Sequence, residues 1–385
     1  MVKPGYKQTE IGLIPRDWMV APLGDVSHFH DNKRVPIKES DRIKMQGDYP
    51  YYGASGIIDY VNDYIFDGEY ILLGEDGANI IDRSSRLAFV VSGKCWINNH
   101  AHVIEPHENM DIHFLSEYLE SISYDEYNTG TAQPKLNREK CNTIPVPIPP
   151  LSEQIRIANL LRECDSLIST LEKEISKKKA IKQGAMQELL TGKKRLPGFC
   201  GEWKTYQLSE ICQLINGRAY SQEELLTSGK YRVLRLGNLF TNGHWYYSDL
   251  ELPEKQYCSK GDLIYAWSAT FGPSIWDGEK VIYHYHIWKV ELKETAHKEY
   301  VYHYLRADVN ALMNELQGGT MAHLTKDTME KRTIIMPENA EQKAIADVLT
   351  NMDAEIEALE QKLAKYRQVK QGMMQQLLTG KIRLV

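Results

Sequence analysis

Hydrophobic positions along this chain follow two regimes. From Leu161 apolar residues recur at Cys164, Ile168, Leu171 and Ile175, and from Leu349 at Met352, Ile356, Leu359, Leu363 and Tyr366. Alternating steps of three and four are a heptad seam. No proline lies within Glu153–Leu190 or Glu341–Leu378. Each stretch therefore predicts one long helix, roughly 55–60 Å at ~1.5 Å per residue. Ser152 is the expected cap of the first. Thr191-Gly192 and Thr379-Gly380, with lysine beside them, are the expected stops.

Elsewhere the pattern is short β-prone runs punctuated by Gly, Asp and Asn. Tyr70–Leu73, Leu87–Val91, Leu263–Trp267 and Tyr283–Val290 read as strands, and Asp111–Ser121 and Lys298–Leu316 as helices. Pro145–Pro150 reads as a stiff extended connector into the first long helix. The expected fold class is α+β: two globules with contorted, mostly antiparallel sheets, and two long helices forming an antiparallel, pseudo-twofold coiled coil.

The two long helices are copies. Met186–Leu196 reads MQELLTGKKRL and Met374–Leu384 reads MQQLLTGKIRL, an offset of 188 that also aligns Glu153-Gln154 with Glu341-Gln342. About 22 of 46 aligned positions are identical, which marks an internal duplication. The globules share anchors as well: Asp17-Trp18 corresponds to Glu202-Trp203, and Gly130–Leu136 to Gly318–Leu324. Between the anchors they diverge. The order is a first globule at 1–150, a helix at 151–195, a second globule at 196–338 and a helix at 339–385.

Charge follows the same division. The net charge is −6, but Glu172–Arg195 carries +5 and Glu355–Arg383 carries +3, which leaves −14 for the rest. The six cysteines are scattered without a C-x-x-C pair, so free thiols are expected. Apolar runs such as LAFVV are too short to span a bilayer and no signal-peptide core opens the chain, so a cytoplasmic protein is expected.

Catalytic signatures are absent from the sequence. It holds no G-x-G-x-x-G, G-x-x-x-x-G-K-[ST], G-x-S-x-G or H-E-x-x-H, and no Asp/Asn-Pro-Pro-aromatic tetrapeptide. His100-Ala101-His102 and His284-Tyr285-His286 have strand spacing for a metal, but without matching cysteines or carboxylates they read as structural or surface histidines. Aromatic usage points instead to an interface: Tyr and Trp dominate over Phe. Gly53, Ser55, Asn98, Asn99, His100 and Asn238 are small, amide or imidazole groups of the kind that read base edges. Arg83, Arg86, Lys135, Arg138, Arg232, Arg235 and Lys326 could meet phosphates.

Taken together the chain resembles, over its whole length, the DNA-specificity subunit of type I restriction-modification enzymes. The carriers are Ile11–Trp18, Tyr52–Ile57, Gly68–Ala78, Asn98–Val103, Gly130–Leu136, Ile148–Gln154 and the two Leu-Leu-Thr-Gly-Lys tails. The second globule departs from the first, with Tyr283–His286 where Asn98–His102 stands and Met336-Pro337-Glu338 in place of the longer proline run. The resemblance implies two target-recognition domains, each reading half of a bipartite double-stranded site. It adds Thr131, Gln133, Trp267, His284, His286, Thr320 and His323 to the DNA-contacting candidates. It also implies that the paired helices set the spacer and dock two methyltransferase subunits. The implied docking residues are Glu153, Gln154, Gln187, Leu190 and Lys193 in one copy and Glu341, Gln342, Gln375, Leu378 and Lys381 in the other. Motor-nuclease subunits would join through the methyltransferases. S-adenosylmethionine, Mg and ATP would reside on those partners, with no cofactor, metal or catalytic residue on this chain. The rival readings are a two-globule scaffold that never touches DNA and a stand-alone methyltransferase fusion.

Overall fold

The computed structural model describes residues 4–240, 243–268, 271–316 and 324–385. The chain divides into two compact units, Met1–Glu172 with Gln361–Val385, and Lys173–Glu360.

The first unit is built on a six-stranded sheet. Its strands are β1 (Ser27–Phe29), β2 (Gln46–Gly53), β3 (Gly56–Val61), β4 (Phe66–Gly74), β5 (Ala88–Ile97) and β6 (Ala101–Pro106), in the order β1-β6-β4-β5-β2-β3. All neighbours run antiparallel except β2 and β5, which are parallel with Tyr51 opposite Trp96 and Tyr52 opposite Ile97. Helix α1 (Ile112–Ser121), capped by the Asp111 carboxylate on Phe114 N–H at 2.8 Å, buries Phe114, Leu115, Tyr118 and Leu119. The proline-rich run Pro145–Ile148 is itself a strand, paired antiparallel with Met19–Pro22. It tolerates its prolines because the ribbon has only two strands and both have a free edge.

Helix α2 (Leu151–Leu189) begins one residue before Ser152, so Ser152 is not its cap. The carbonyl of Pro150 instead accepts from Glu153 N–H at 2.8 Å and Gln154 N–H at 3.1 Å.

The second unit holds two four-stranded sheets. Its strands are β7 (Cys212–Asn216), β8 (Tyr231–Leu234), β9 (Tyr246–Ser248), β10 (Tyr257–Cys258), β11 (Leu263–Ala266), β12 (Gly272–Ile275), β13 (Val281–Tyr283) and β14 (Ile287–Leu292). One sheet has the order β7-β14-β11-β12 and the other β9-β8-β13-β10. The expected continuous strand Tyr283–Val290 is broken: His284–His286 form a turn, and β13 and β14 belong to different sheets. Helix α3 (Lys298–Leu316) covers the span expected for it. Lys204–Gln207 pairs antiparallel with Thr333–Met336, as Met19–Pro22 pairs with Pro145–Ile148 in the first unit.

Helix α4 (Asn339–Leu377) has the same 39-residue length as α2. In each unit the start of one long helix runs antiparallel to the end of the other. In the first, Asp165 meets Lys370 at 2.7 Å and Glu172 meets Arg367 at 2.6 Å. In the second, Lys178 meets Glu355 and Lys179 meets Glu360, each at 2.6 Å. The heptad positions Leu161, Leu171, Ile175, Leu349, Ile356 and Leu363 are buried. Burial of this stripe is what makes so charged a helix stable, since propensity alone contributes little.

All six cysteines are free, and among the described residues no helix is long and apolar enough to cross a membrane.

Candidate nucleic-acid interface

In each unit the parallel strand pair ends at one place. In the first, β2 and β5 release Gly53 and Asn98 side by side, and Asn98 N–H donates to the Tyr52 carbonyl at 3.1 Å. In the second, β8 and β13 are parallel, with Leu234 opposite Tyr283, and release Arg235 and His284. There His284 N–H donates to the Leu234 carbonyl at 2.9 Å. In both units the chain turns away from the sheet at this point, so the residues after the paired ends are brought together across the two strands.

Ser55, Asn99 and His100 follow the first of these ends directly in the chain, and Thr131, Gln133 and Lys135 lie on the Gly130–Leu136 loop; all six are exposed. The segment at Lys135 is laid beside the Glu75–Gly77 turn by backbone bonds from Gly77 N–H to Pro134 O (3.1 Å) and Leu136 N–H to Glu75 O (2.7 Å). His100 Nδ1 lies 2.9 Å from an Asp76 oxygen, and Glu75 bridges Arg34 at 2.6 Å and Lys135 at 3.3 Å. Arg34, Glu75 and Asp76 are thus part of this face, although nothing in their spacing singles them out. Two candidates do not present their side chains here. Asn98 is buried, and its Oδ1 accepts from His100 N–H at 2.8 Å, so it shapes the loop instead of reading a base. Gly53 is also buried. Arg83 does not join the face: it takes a left-handed φ of 50° and pairs with Glu120 at 3.1 Å. Arg86 is likewise engaged, with Glu117 and with Asp165 at 3.2 Å.

His102 is structural. Burial opposes its charge, but Asp31 at 2.7 Å overrides this and raises the imidazole to about 10. Its other nitrogen meets the Leu136 carbonyl at 2.9 Å, so it ties β6 to the Lys135 loop. Among the described residues no group of His, Cys, Asp and Glu is arranged to hold a metal.

Around the second strand end lies a cavity of about 440 Å³ lined by Arg235, Asn238, His244, Tyr246, His284 and His286. The Arg235 guanidinium lies over the Tyr246 ring, 5.0 Å from its centroid. Burial first, then the charges of His286 and Arg235, push His284 down to about 4, so it is a neutral imidazole. Trp267 stands 5.3 Å from His286 and donates its indole N–H to the Tyr285 carbonyl at 2.8 Å. Asn238 is buried, accepting from Arg235 N–H at 3.0 Å and donating to the Gly243 carbonyl at 3.2 Å; like Asn98 it shapes its loop. Arg232 is paired with Glu279 at 3.1 Å and Lys326 with Glu330 at 3.5 Å. Thr320 and His323 lie outside the described residues.

Both units close on their long helices through the same joint. Arg383 forks the Glu153 carboxylate at 2.7 Å and 2.7 Å, while Trp18 donates its indole N–H to it at 3.1 Å. In the second unit Arg195 forks Glu341 at 2.6 Å and 2.6 Å, and lies over the Trp203 ring at 5.6 Å. Gln154 accepts from Asp111 N–H at 2.8 Å and donates to the carbonyls of Asn109 (3.1 Å) and Pro149 (2.9 Å). Gln342 accepts from His297 N–H at 2.8 Å and donates to Thr295 (3.0 Å) and Pro337 (2.8 Å).

The profile of the type I restriction modification DNA specificity domain matches this chain twice, at residues 15–183 and 201–366. The chain belongs to that family. Among curated members of the specificity family, a putative type I restriction enzyme specificity subunit of Haemophilus influenzae is 29% identical, over 86% of both chains. The MjaVIII specificity subunit of Methanocaldococcus jannaschii is 24% identical, over 98% of this chain and 96% of its own. The type I S subunit of M. genitalium shares the fold, with a TM-score of 0.65 at 13% identity over 97% of this chain and 98% of its own. A second structure, from work on assembly of the type I R-M system, gives 0.57 at 15% identity over 96% and 99%.

For a specificity chain the docking candidates divide cleanly. Glu153, Gln154, Glu341 and Gln342 are buried, and their hydrogen bonds are spent inside their own units. Leu190 and Leu378 are buried as well. Glu153, Gln154, Glu341 and Gln342 build the joint, while Leu190 and Leu378 lie in the floors of the clefts beside Gln187 and Gln375. Lys193 and Lys381 are exposed, and Gln187 and Gln375 stand beside surface clefts.

Proposed function

We propose that this chain is the DNA-reading subunit of a type I restriction-modification complex, each unit contacting one half of a bipartite duplex site. One observation carries the reading. The Arg–Glu fork and the Gln hydrogen-bond set repeat in both joints, whereas the corresponding strand ends carry Gly53 and Asn98 in one unit and Arg235 and His284 in the other. A shared frame with unlike reading edges is what a two-part site requires, because a repeated binding surface would read the same bases twice. The duplicated long helices with their exposed Lys193 and Lys381 ends suit two copies of one partner, a methyltransferase subunit per half. Their length would fix the unread spacer, as half-site spacing follows protein geometry in other DNA readers. Methyl transfer, translocation and cleavage, with S-adenosylmethionine, Mg and ATP, would belong to the partner subunits in the cytoplasm. This chain would contribute no catalytic group. Its negative total charge is compatible with DNA binding if the partners supply much of the phosphate clamp, and binding would then weaken steeply with salt.

The test is methylation mapping. Co-expression with the genomically adjacent methyltransferase subunit should produce one methylated motif made of two short specific blocks around a fixed gap. Formation of the complex without any new methylation would favour the scaffold reading.

A further inference from the structure

Arg235 stands out among the arginines of the second unit. Arg195, Arg218, Arg232, Arg306 and Arg332 are each paired with a carboxylate at 3.2 Å or less. Among the described residues Arg235 has no carboxylate partner. Its guanidinium lies on the Tyr246 ring, at the mouth of the cavity formed where β8 and β13 end. A guanidinium lying over an aromatic ring spends none of its N–H donors on that contact, so its forked edge stays free for a planar acceptor pair. Its backbone is fixed too, because Arg235 N–H is held by the buried Asn238 side chain. Beside it the neutral His284 adds a hydrogen-bonding edge without a second charge.

A fixed, stacked, unpaired arginine beside a neutral polar group matches the O6 and N7 acceptors of guanine in the major groove, which take a bidentate arginine. We infer that Arg235 reads one guanine in the half-site recognised by the second unit. Gly53 at the matching strand end of the first unit has no side chain for this contact, so the first half-site is read by other groups. The inference rests on the DNA-reading function proposed above.

The experiment uses the full chain in complex with its methyltransferase subunit. Methylation mapping of the wild type comes first, and absence of a bipartite motif would sink the DNA-reading proposal itself. Given a motif, Arg235→Ala and Arg235→Lys are mapped alongside. Both should relax one guanine position in one half only, lowering discrimination there about 5- to 150-fold. Lysine keeps the charge but not the fork, so its failure to restore discrimination separates base reading from phosphate contact. As a check that does not depend on a variant folding, 7-deazaguanine is placed at each guanine of that half-site with wild-type protein. One position should weaken binding, and the same substitution should cost nothing further in Arg235→Ala. A half-site without guanine, or uniform weakening across all sequences with the motif unchanged, would overturn the assignment.

Discussion

Arg195 and Glu341 meet through two parallel hydrogen bonds of 2.6 Å, and their counterparts across the 188-residue offset, Arg383 and Glu153, meet the same way at 2.7 Å, with the roles of the two copies exchanged. Arg195 lies just past the end of one long helix and Glu341 in the first turn of the other. The contact therefore welds a helix end to a helix start within one unit. Both carboxylates are almost fully buried, at 1% exposure for Glu153 and 2% for Glu341.

Removing one arm of this weld should be severe. Arg383→Ala leaves Glu153 buried without its counter-charge, which costs ~3–5 kcal/mol when a buried pair is broken. Arg195→Ala should destabilise its own unit in the same direction. The double variant Arg383→Met with Glu153→Gln should recover much of the loss. Urea denaturation of each variant measures this, and a loss under ~0.5 kcal/mol for Arg383→Ala would refute the role.

The two tryptophans of the joints should respond unequally. Trp18 donates to Glu153 at 3.1 Å, whereas the buried Trp203 indole N–H has no partner among the described residues. Trp18→Phe should therefore cost about 1.5–3 kcal/mol more than Trp203→Phe, the worth of one hydrogen bond to a charged group. Thermal melts of the two variants decide it, and equal or reversed losses would contradict the asymmetry.

Replacing Gln154 or Gln342 by alanine orphans one backbone N–H and two carbonyls. Losses of about 1–3 kcal/mol are expected for each. Because neither residue reaches the surface, methyltransferase affinity measured on the folded fraction should be unchanged. A selective loss of partner binding with normal stability would restore their reading as docking residues.

The His102–Asp31 pair predicts an alkaline weakness in the first unit. Its folded imidazole is raised to about 10 against an ordinary value near 6.5. A raised folded value means that the stabilisation is complete below about pH 6.5 and is lost as pH rises toward 10. Asp31→Asn should flatten that slope. Hydrogen exchange at Val103 and Leu136 across pH 6–10, corrected for intrinsic rates, reports it; an identical pH response in the variant would rule the pair out as its source.

Exchanging residues 1–150 for the same segment of another family member should replace one half of the methylated motif and leave the other. If both halves changed, the units would not read independently.

Much of the architecture was legible in the sequence because it rests on periodicity and repetition. The heptad spacing from Leu161 and Leu349 implied two long helices, and helices of 39 residues are found. The offset of 188 implied a duplicated frame, which the matching joints display. What periodicity could not reveal was the use of individual polar residues. Glu153-Gln154 and Glu341-Gln342, which the family resemblance implied as docking residues, form a buried hydrogen-bond set inside their own units. Likewise Asn98 and Asn238 carry the right chemistry for base edges but spend it on neighbouring backbone. Register and strand direction decided the rest. Only the parallel pairing of β2 with β5, and of β8 with β13, sets Gly53 beside Asn98 and Arg235 beside His284, residues 45 and 49 positions apart in sequence. The sequence alone determined that this protein is two similar frames with unlike faces, since repeats and helical spacing are local. Which side chains are spent inside the frame and which remain free for DNA was decided by the tertiary structure, because burial and pairing depend on what folding brings near.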